Sequence, residues 1–122
     1  MDWELDDSRS IYPQLKELIK RGIIVGEYAP GSAFPTVREL ASDAVVNRNT
    51  MQRALSELEH DGFVTTNRTA GRTVTTDEGL VTRMKESIAK KSIEKFIKEM
   101  AAIGYSADDV VKMIKERGEE DK

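Results

Sequence analysis

Three features of this 122-residue chain predict a mainly α fold with a small β wing, a winged helix-turn-helix over residues 8–76 and a helical dimerisation tail over 77–118. The first is a pair of helical segments joined by a tight turn, Phe34-Pro35-Thr36-Val37-Arg38-Glu39-Leu40-Ala41 and then Asn47-Arg48-Asn49-Thr50-Met51-Gln52-Arg53-Ala54-Leu55. The second is two β-branched runs flanking a glycine-bearing loop. The third is a long apolar stripe beyond Asp77.

The first helix is expected from Ile11 to Gly26. Ile11, Leu15, Leu18, Ile19 and Ile23 fall at three- and four-residue steps, which places them on one face of a helix. Pro13 lies in the first turn, where no intrahelical bond needs its N–H. Gly26-Glu27-Tyr28-Ala29-Pro30-Gly31 breaks the helix. Thr36-Val37-Arg38-Glu39 is a capping box, with the Thr36 hydroxyl taking the Glu39 N–H and the Glu39 carboxylate returning to the Thr36 N–H. That second helix ends near Ala44.

Asn47 is a good N-cap for a third helix running to His60 or Asp61, with Gly62 just past its end. Ala54, Leu55 and Leu58 give that helix a buried face, and Arg48, Asn49, Gln52 and Arg53 stand opposite. Phe63–Asn67 and Arg72–Thr76 read as a hairpin around Arg68-Thr69-Ala70-Gly71. From Asp77 onward Leu80, Met84, Ile88, Ile93, Phe96, Ile97, Met100 and Ile103 populate a helix of about 25 residues that Gly104 closes. Ser106-Ala107-Asp108-Asp109 caps a short last helix bearing Val110, Val111 and Ile114, and the end from Glu119 to Lys122 frays.

Composition narrows the function. A hydrophobic fraction of 39% supports a core, and a net charge of −3 argues against an indiscriminate nucleic-acid coat. A sequence reader needs only a locally basic surface, so it is not excluded. With no cysteine, neither a disulfide framework nor a thiolate metal site is available. No apolar run reaches the roughly 18 residues a membrane span needs. The acidic start, Met1 to Asp7, lacks the basic and apolar parts of a secretory signal, so a cytoplasmic location is expected. The sequence has one histidine, no nucleophile paired with a base, no phosphate-cradling glycine loop and no metal-ligand spacing. Neither catalysis nor a cofactor nor a metal is expected, and His60 reads as a surface or capping residue near a helix end.

Ile11-Tyr12-Pro13-Gln14-Leu15, Gly26 to Gly31, Pro35 to Ala41 and Arg53-Ala54-Leu55…Leu58-Glu59…Gly62-Phe63-Val64 appear in that order and spacing. Together they resemble the GntR family of bacterial transcription regulators over Ile11 to Val74. The small helical tail is similar to that of the YtrA-like subgroup, in which a two-helix C-terminal part serves dimerisation. The resemblance implies that Arg38, the arginine of the Arg-Glu-Leu-Ala motif, contacts DNA, and that Arg48, Asn49, Thr50 and Gln52 occupy the reading positions of the recognition helix.

The chemistry agrees with those roles. Arginine bonds guanine bidentately, asparagine and glutamine bond adenine, and threonine reaches phosphate. Arg53 either touches DNA or pairs with Glu57 one turn on. At the wing, Arg68 is the better candidate, while the side of the strand that carries Arg72 points inward. Four positions depart from the family pattern: Ala33 stands where a basic residue is usual, Val45 replaces the turn glycine, Gln52 replaces a common arginine and Thr69 replaces the wing-tip glycine. A β-branched residue fits poorly at positive φ, so a different turn geometry is expected at Val45.

The functional expectation is a homodimeric, sequence-specific repressor, and the resemblance implies that its target is its own or a transporter operon. It would bind double-stranded DNA as an inverted repeat, because a lone pair of amphipathic tail helices cannot cover its own apolar faces. A winged helix that docks a protein instead is the competing reading, disfavoured by the Arg/Asn/Gln-rich face. A small-molecule effector of unknown chemistry stays open as a partner.

Overall fold

The computed structural model describes residues 1–69 and 71–121, so Ala70 of the wing loop and Lys122 of the tail lie outside the described residues. Among them the elements run α1 (Ile11–Ile24), α2 (Val37–Ala44), α3 (Arg48–His60), β1 (Val64–Asn67), β2 (Gly71–Val74), α4 (Glu78–Ala102) and α5 (Ala107–Glu120). The chain divides into two compact units, Met1–Lys85 and Glu86–Lys122.

In the first unit α1 and α2 both pack on α3. Leu15 and Ile19 of α1 and Met51, Leu55 and Leu58 of α3 are completely buried, with Leu40, Ala41 and Ala44 of α2 beside them. Helix α1 stops two residues short of the expected Gly26, which carries φ +83 and turns the chain back. The returning loop seats the Tyr28 ring so close to α1 that a Cβ on Gly22 would lie 2.7 Å from it. Tyr28 in turn packs on Phe34, with 4.9 Å between ring centroids.

Helix α2 starts at the expected cap, with Thr36 Oγ1 accepting the Glu39 N–H at 3.1 Å. The reciprocal half of the capping box differs. A hydroxyl accepts and donates at once, and the Thr36 hydroxyl itself donates to Glu39 Oε1 at 3.2 Å, holding the carboxylate in place of the backbone N–H.

The turn after α2 corrects the expectation for Val45. It does adopt the left-handed conformation, φ 56 and ψ 55, at the helix C-cap. The Val46 N–H reaches the Ala41 carbonyl at 3.0 Å, the long closing bond of a Schellman motif. The turn keeps the geometry that glycine would supply because these bonds satisfy the last carbonyls of α2. The valine side chain, 88% exposed, meets no packing that would drive it elsewhere.

Asn47 Oδ1 caps α3 by accepting the Asn49 N–H at 2.7 Å, and Gly62 leaves the helix at φ +87. Strands β1 and β2 pair antiparallel from Val64↔Val74 to Asn67↔Gly71, a shorter ladder than Phe63–Asn67 against Arg72–Thr76. A bridge from Ala33 to Thr73 adds a short third edge, with the Phe34 N–H donating to the Arg72 carbonyl at 2.7 Å. The far end of the unit is fixed by Asp77, whose carboxylate accepts the Leu80 N–H at the start of α4.

The second unit contains the C-terminal part of α4 and all of α5. Gly104, at φ +97, ends α4, and the Tyr105 N–H closes back on the Met100 carbonyl at 3.0 Å. Ser106 and Asp109 form a complete capping box, with bonds of 3.1 and 2.9 Å. The Ser106 backbone N–H, and after it the Ser106 side chain, hold the exposed Asp109 carboxyl below the usual carboxylate range by hydrogen bonding to it. Helix α5 is longer than the short helix expected, since Glu119 and Glu120 remain helical rather than frayed. Among the described residues of this unit only Val110 is buried, while Ile93, Phe96, Ile103, Tyr105, Val111, Met113 and Ile114 are exposed.

Candidate nucleic-acid interface

The two sides of α3 differ sharply. Met51, Ala54, Leu55 and Leu58 are buried, whereas Arg48, Asn49, Gln52, Arg53 and Ser56 are exposed. Residues four apart in a helix stand above one another, so the exposed side chains form two rows, Arg48–Gln52–Ser56 and Asn49–Arg53. Gln52 Nε2 donates to Ser56 Oγ at 2.9 Å, which aligns the first row. Thr50 is half-buried in the first turn. The N-terminal turn of α3 also presents backbone N–H groups and a partial positive charge.

Arg38 stands exposed in the first turn of α2, and Arg68 is exposed at the wing tip. Neither these two nor Arg48 has an ion-pair partner among the described residues. Three guanidinium groups therefore face solvent without an internal carboxylate. Asn67 Oδ1 accepts both the backbone N–H and the hydroxyl of Thr69, bonds that a wing-tip glycine could only half supply.

Two arginines are engaged within the protein. Arg53 does not pair with Glu57. Its guanidinium carbon lies 3.7 Å from the centroid of the Tyr12 ring on α1. Arg72 lies largely within the fold, its Nε 4.0 Å from Glu59 Oε2 and buried without a hydrogen bond. Glu59 Oε1 also accepts the Thr66 hydroxyl of β1. Glu59 thereby ties the end of α3 to both strands of the wing, and Tyr12 ties α1 to the exposed face of α3. Neither residue was singled out from sequence. Each acts through a partner distant in the chain, and no local pattern signals that.

A three-helix core with a hairpin wing and an open polar face on its third helix defines a winged helix-turn-helix DNA-binding domain. The chain belongs to the gntR family of bacterial regulatory proteins, whose model matches residues 11–74. It is 33% identical to the uncharacterized HTH-type transcriptional regulator YhcF of Bacillus subtilis, over 94% of this chain and 95% of that one. It is also 33% identical to the B. subtilis HTH-type transcriptional repressor YtrA, covering 71% of this chain and 72% of YtrA.

Among solved structures, a GntR family transcriptional regulator from Listeria monocytogenes superposes with a TM-score of 0.83 at 36% identity, covering 92% of this chain and 98% of that one. The DNA-binding domain of AraR, solved in complex with operator ORE1, matches 62% of this chain and 94% of that one with a TM-score of 0.50 at 27% identity. This chain is thus a transcription regulator with a DNA-binding domain, and not an enzyme. No helix among its described residues is long and apolar enough to cross a membrane.

Proposed function

We propose that the chain is a homodimeric repressor that reads an inverted-repeat operator in cytoplasmic DNA, with residues 8–76 as the DNA-binding domain and 77–118 as the dimerisation region. The observation that carries this reading is the division of α3 into a buried apolar side and an open side of Arg48, Asn49, Gln52 and Arg53. Such a helix has its tip free to enter a major groove.

In this reading Arg48, Asn49 and Gln52 meet base edges, while Thr50 and Arg38 hold phosphates. Arg68 approaches the backbone or minor groove from the wing, and Arg72 contributes through the wing's placement and its partly exposed edge. The AraR structure with its operator supports DNA as the partner, and the YtrA name supports repression. Dimerisation is supported by the apolar side chains left open on Glu86–Lys122, among them Ile93 at 60% exposure, Ile103 at 69% and Ile114 at 60%. A second copy covers them most simply. The target is the chain's own or a transporter operon, and a small-molecule effector stays open as a further partner.

Selection from a random duplex pool at about 150 mM salt tests the reading, with wild type and Arg48→Ala side by side. Wild type enriches an inverted repeat. Arg48→Ala costs about 1–3 kcal/mol and blurs one base pair per half-site. Sedimentation equilibrium checks the dimer. DNA affinity that hardly varies with salt, or monomer alone at micromolar concentration, would sink the corresponding half of the reading.

A further inference from the structure

We propose that Tyr12 is a positioning residue for DNA binding: its ring holds the Arg53 guanidinium at a pocket that seats one backbone phosphate of the duplex. The inference deepens the DNA-binding reading above and rests on it. It begins with the 3.7 Å approach of Arg53 Cζ to the Tyr12 ring centroid, well inside the distance at which a cation and an aromatic face attract. Stacking occupies the face of the guanidinium and leaves its in-plane N–H donors at the edge, where they meet an anion.

The charge is also unspent. Among the described residues no carboxylate lies within ion-pair distance of Arg53, and Glu57, one turn on, has Oε2 buried. Arg53, Asn49, Thr50, Ser10, Ile11 and Tyr12 line a concave pocket of about 370 Å³, roomy enough for a phosphate and its sugar. The Ser10 and Thr50 hydroxyls join the guanidinium as donors there.

Position decides between phosphate and base edge. Tyr12 belongs to α1, so the stack holds Arg53, which stands outside the Arg48–Gln52 row, toward the α1 side of the recognition helix. A helix in a major groove meets the sugar-phosphate wall on its flanks and base edges beneath its tip. Arg53 therefore adds affinity without sequence preference, and Tyr12 acts by fixing the arginine before DNA arrives.

The test uses the full chain with a 30-bp duplex of arbitrary fixed sequence and with the selected operator, over 50–200 mM salt. Tyr12→Phe keeps the ring face and binds within about twofold of wild type. Tyr12→Leu weakens binding about fivefold on both duplexes, the equivalent of a cation–π contact of about 1 kcal/mol. Arg53→Ala lowers the slope of log K against log salt by about 0.9, the loss of one neutralised phosphate. Adding Tyr12→Leu to Arg53→Ala changes affinity less than twofold, a non-additivity that a merely structural tyrosine would not produce. Should Tyr12→Leu melt below the assay temperature, Tyr12→Met replaces it, keeping bulk without the π face.

Wild-type affinity in Tyr12→Leu, an equal loss from Tyr12→Leu with and without Arg53, or a loss confined to one operator base pair would each overturn the proposal. Wild type failing to bind either duplex at 50 mM salt would overturn the DNA-binding reading itself, a different result.

Discussion

The two compact units spend their apolar residues in opposite ways. In Met1–Lys85 most large aliphatic side chains point inward, and Leu15, Ile19, Met51, Leu55 and Leu58 have no solvent exposure. In Glu86–Lys122 the same residue types stand open, and Val110 alone among the described residues is buried. Each full burial of such a side chain stabilises by about 1.5–3 kcal/mol, so the first unit carries its own stability and the second does not. The polar surfaces are reversed in meaning too. On the first unit the unpaired groups are guanidiniums that suit phosphate and base edges; on the second they are isoleucines, phenylalanine and methionine that suit another apolar surface. One chain thus presents two incomplete faces, each calling for a different partner.

Paired substitutions break or sharpen that contrast most directly. Leu55→Ala leaves a cavity in the first unit and lowers stability by about 2–5 kcal/mol at any protein concentration. Ile114→Ala, at a side chain 60% exposed, costs well under about 1 kcal/mol in dilute protein, and its cost grows as concentration favours association. Urea melts at two concentrations a hundredfold apart read both. If Ile114→Ala were as damaging as Leu55→Ala in protein shown by sedimentation to be monomeric, the second unit would not depend on a partner for burial.

Much of the first unit was legible because its signals are local. Thr36 and Asn47 announce helix starts through the hydrogen bonds a short polar side chain offers a free N–H, and both cap as expected, as Ser106 does in the second unit. The 3.6-residue spacing of Leu15, Ile19 and Ile23 placed the buried side of α1. Of the candidate interface residues, Arg38, Arg48, Asn49, Gln52 and Arg68 stand exposed as that periodicity and the loop placement implied. What escaped were pairings across the fold: Tyr12 with Arg53, and Glu59 with Thr66 and Arg72. A residue's neighbours across a helix packing are fixed by tertiary geometry, which a stripe of hydrophobic spacing does not encode.

Val45 was misread for another reason. Residue preference argued against positive φ, but the turn's hydrogen bonds override preference when the side chain has nothing to clash with or pack on. That override has a measurable cost. A non-glycine residue held in the left-handed region costs about 1–3 kcal/mol. Val45→Asn, which tolerates that region and forfeits little burial at an 88% exposed site, raises stability by about 1 kcal/mol. Val45→Gly gains less, because glycine loses more backbone freedom on folding. Chemical denaturation orders the three proteins. A less stable Val45→Asn would mean that the valine makes a contact worth more than its strain.

The smallest effect expected concerns pH and probes the interior of the first unit alone. Burial raises the Tyr28 phenol to about 12, with Glu27 and Asp43 adding to the rise, and its hydroxyl donates to Met1 Sδ at 3.3 Å. An unfolded tyrosine releases its proton near 10. Below pH 10 both states hold the proton, so the full stability is present. Between about 10 and 12 the unfolded chain sheds the proton while the folded chain keeps it, so stability falls as pH rises through that window. Tyr28→Phe removes this titration, and its stability declines less steeply than that of wild type from pH 10 to 12. Parallel declines in the two proteins would mean that the Tyr28 phenol is as solvated in the folded unit as in the unfolded chain, and that the Tyr28 ring sits more loosely against Gly22 and Phe34 than their packing implies.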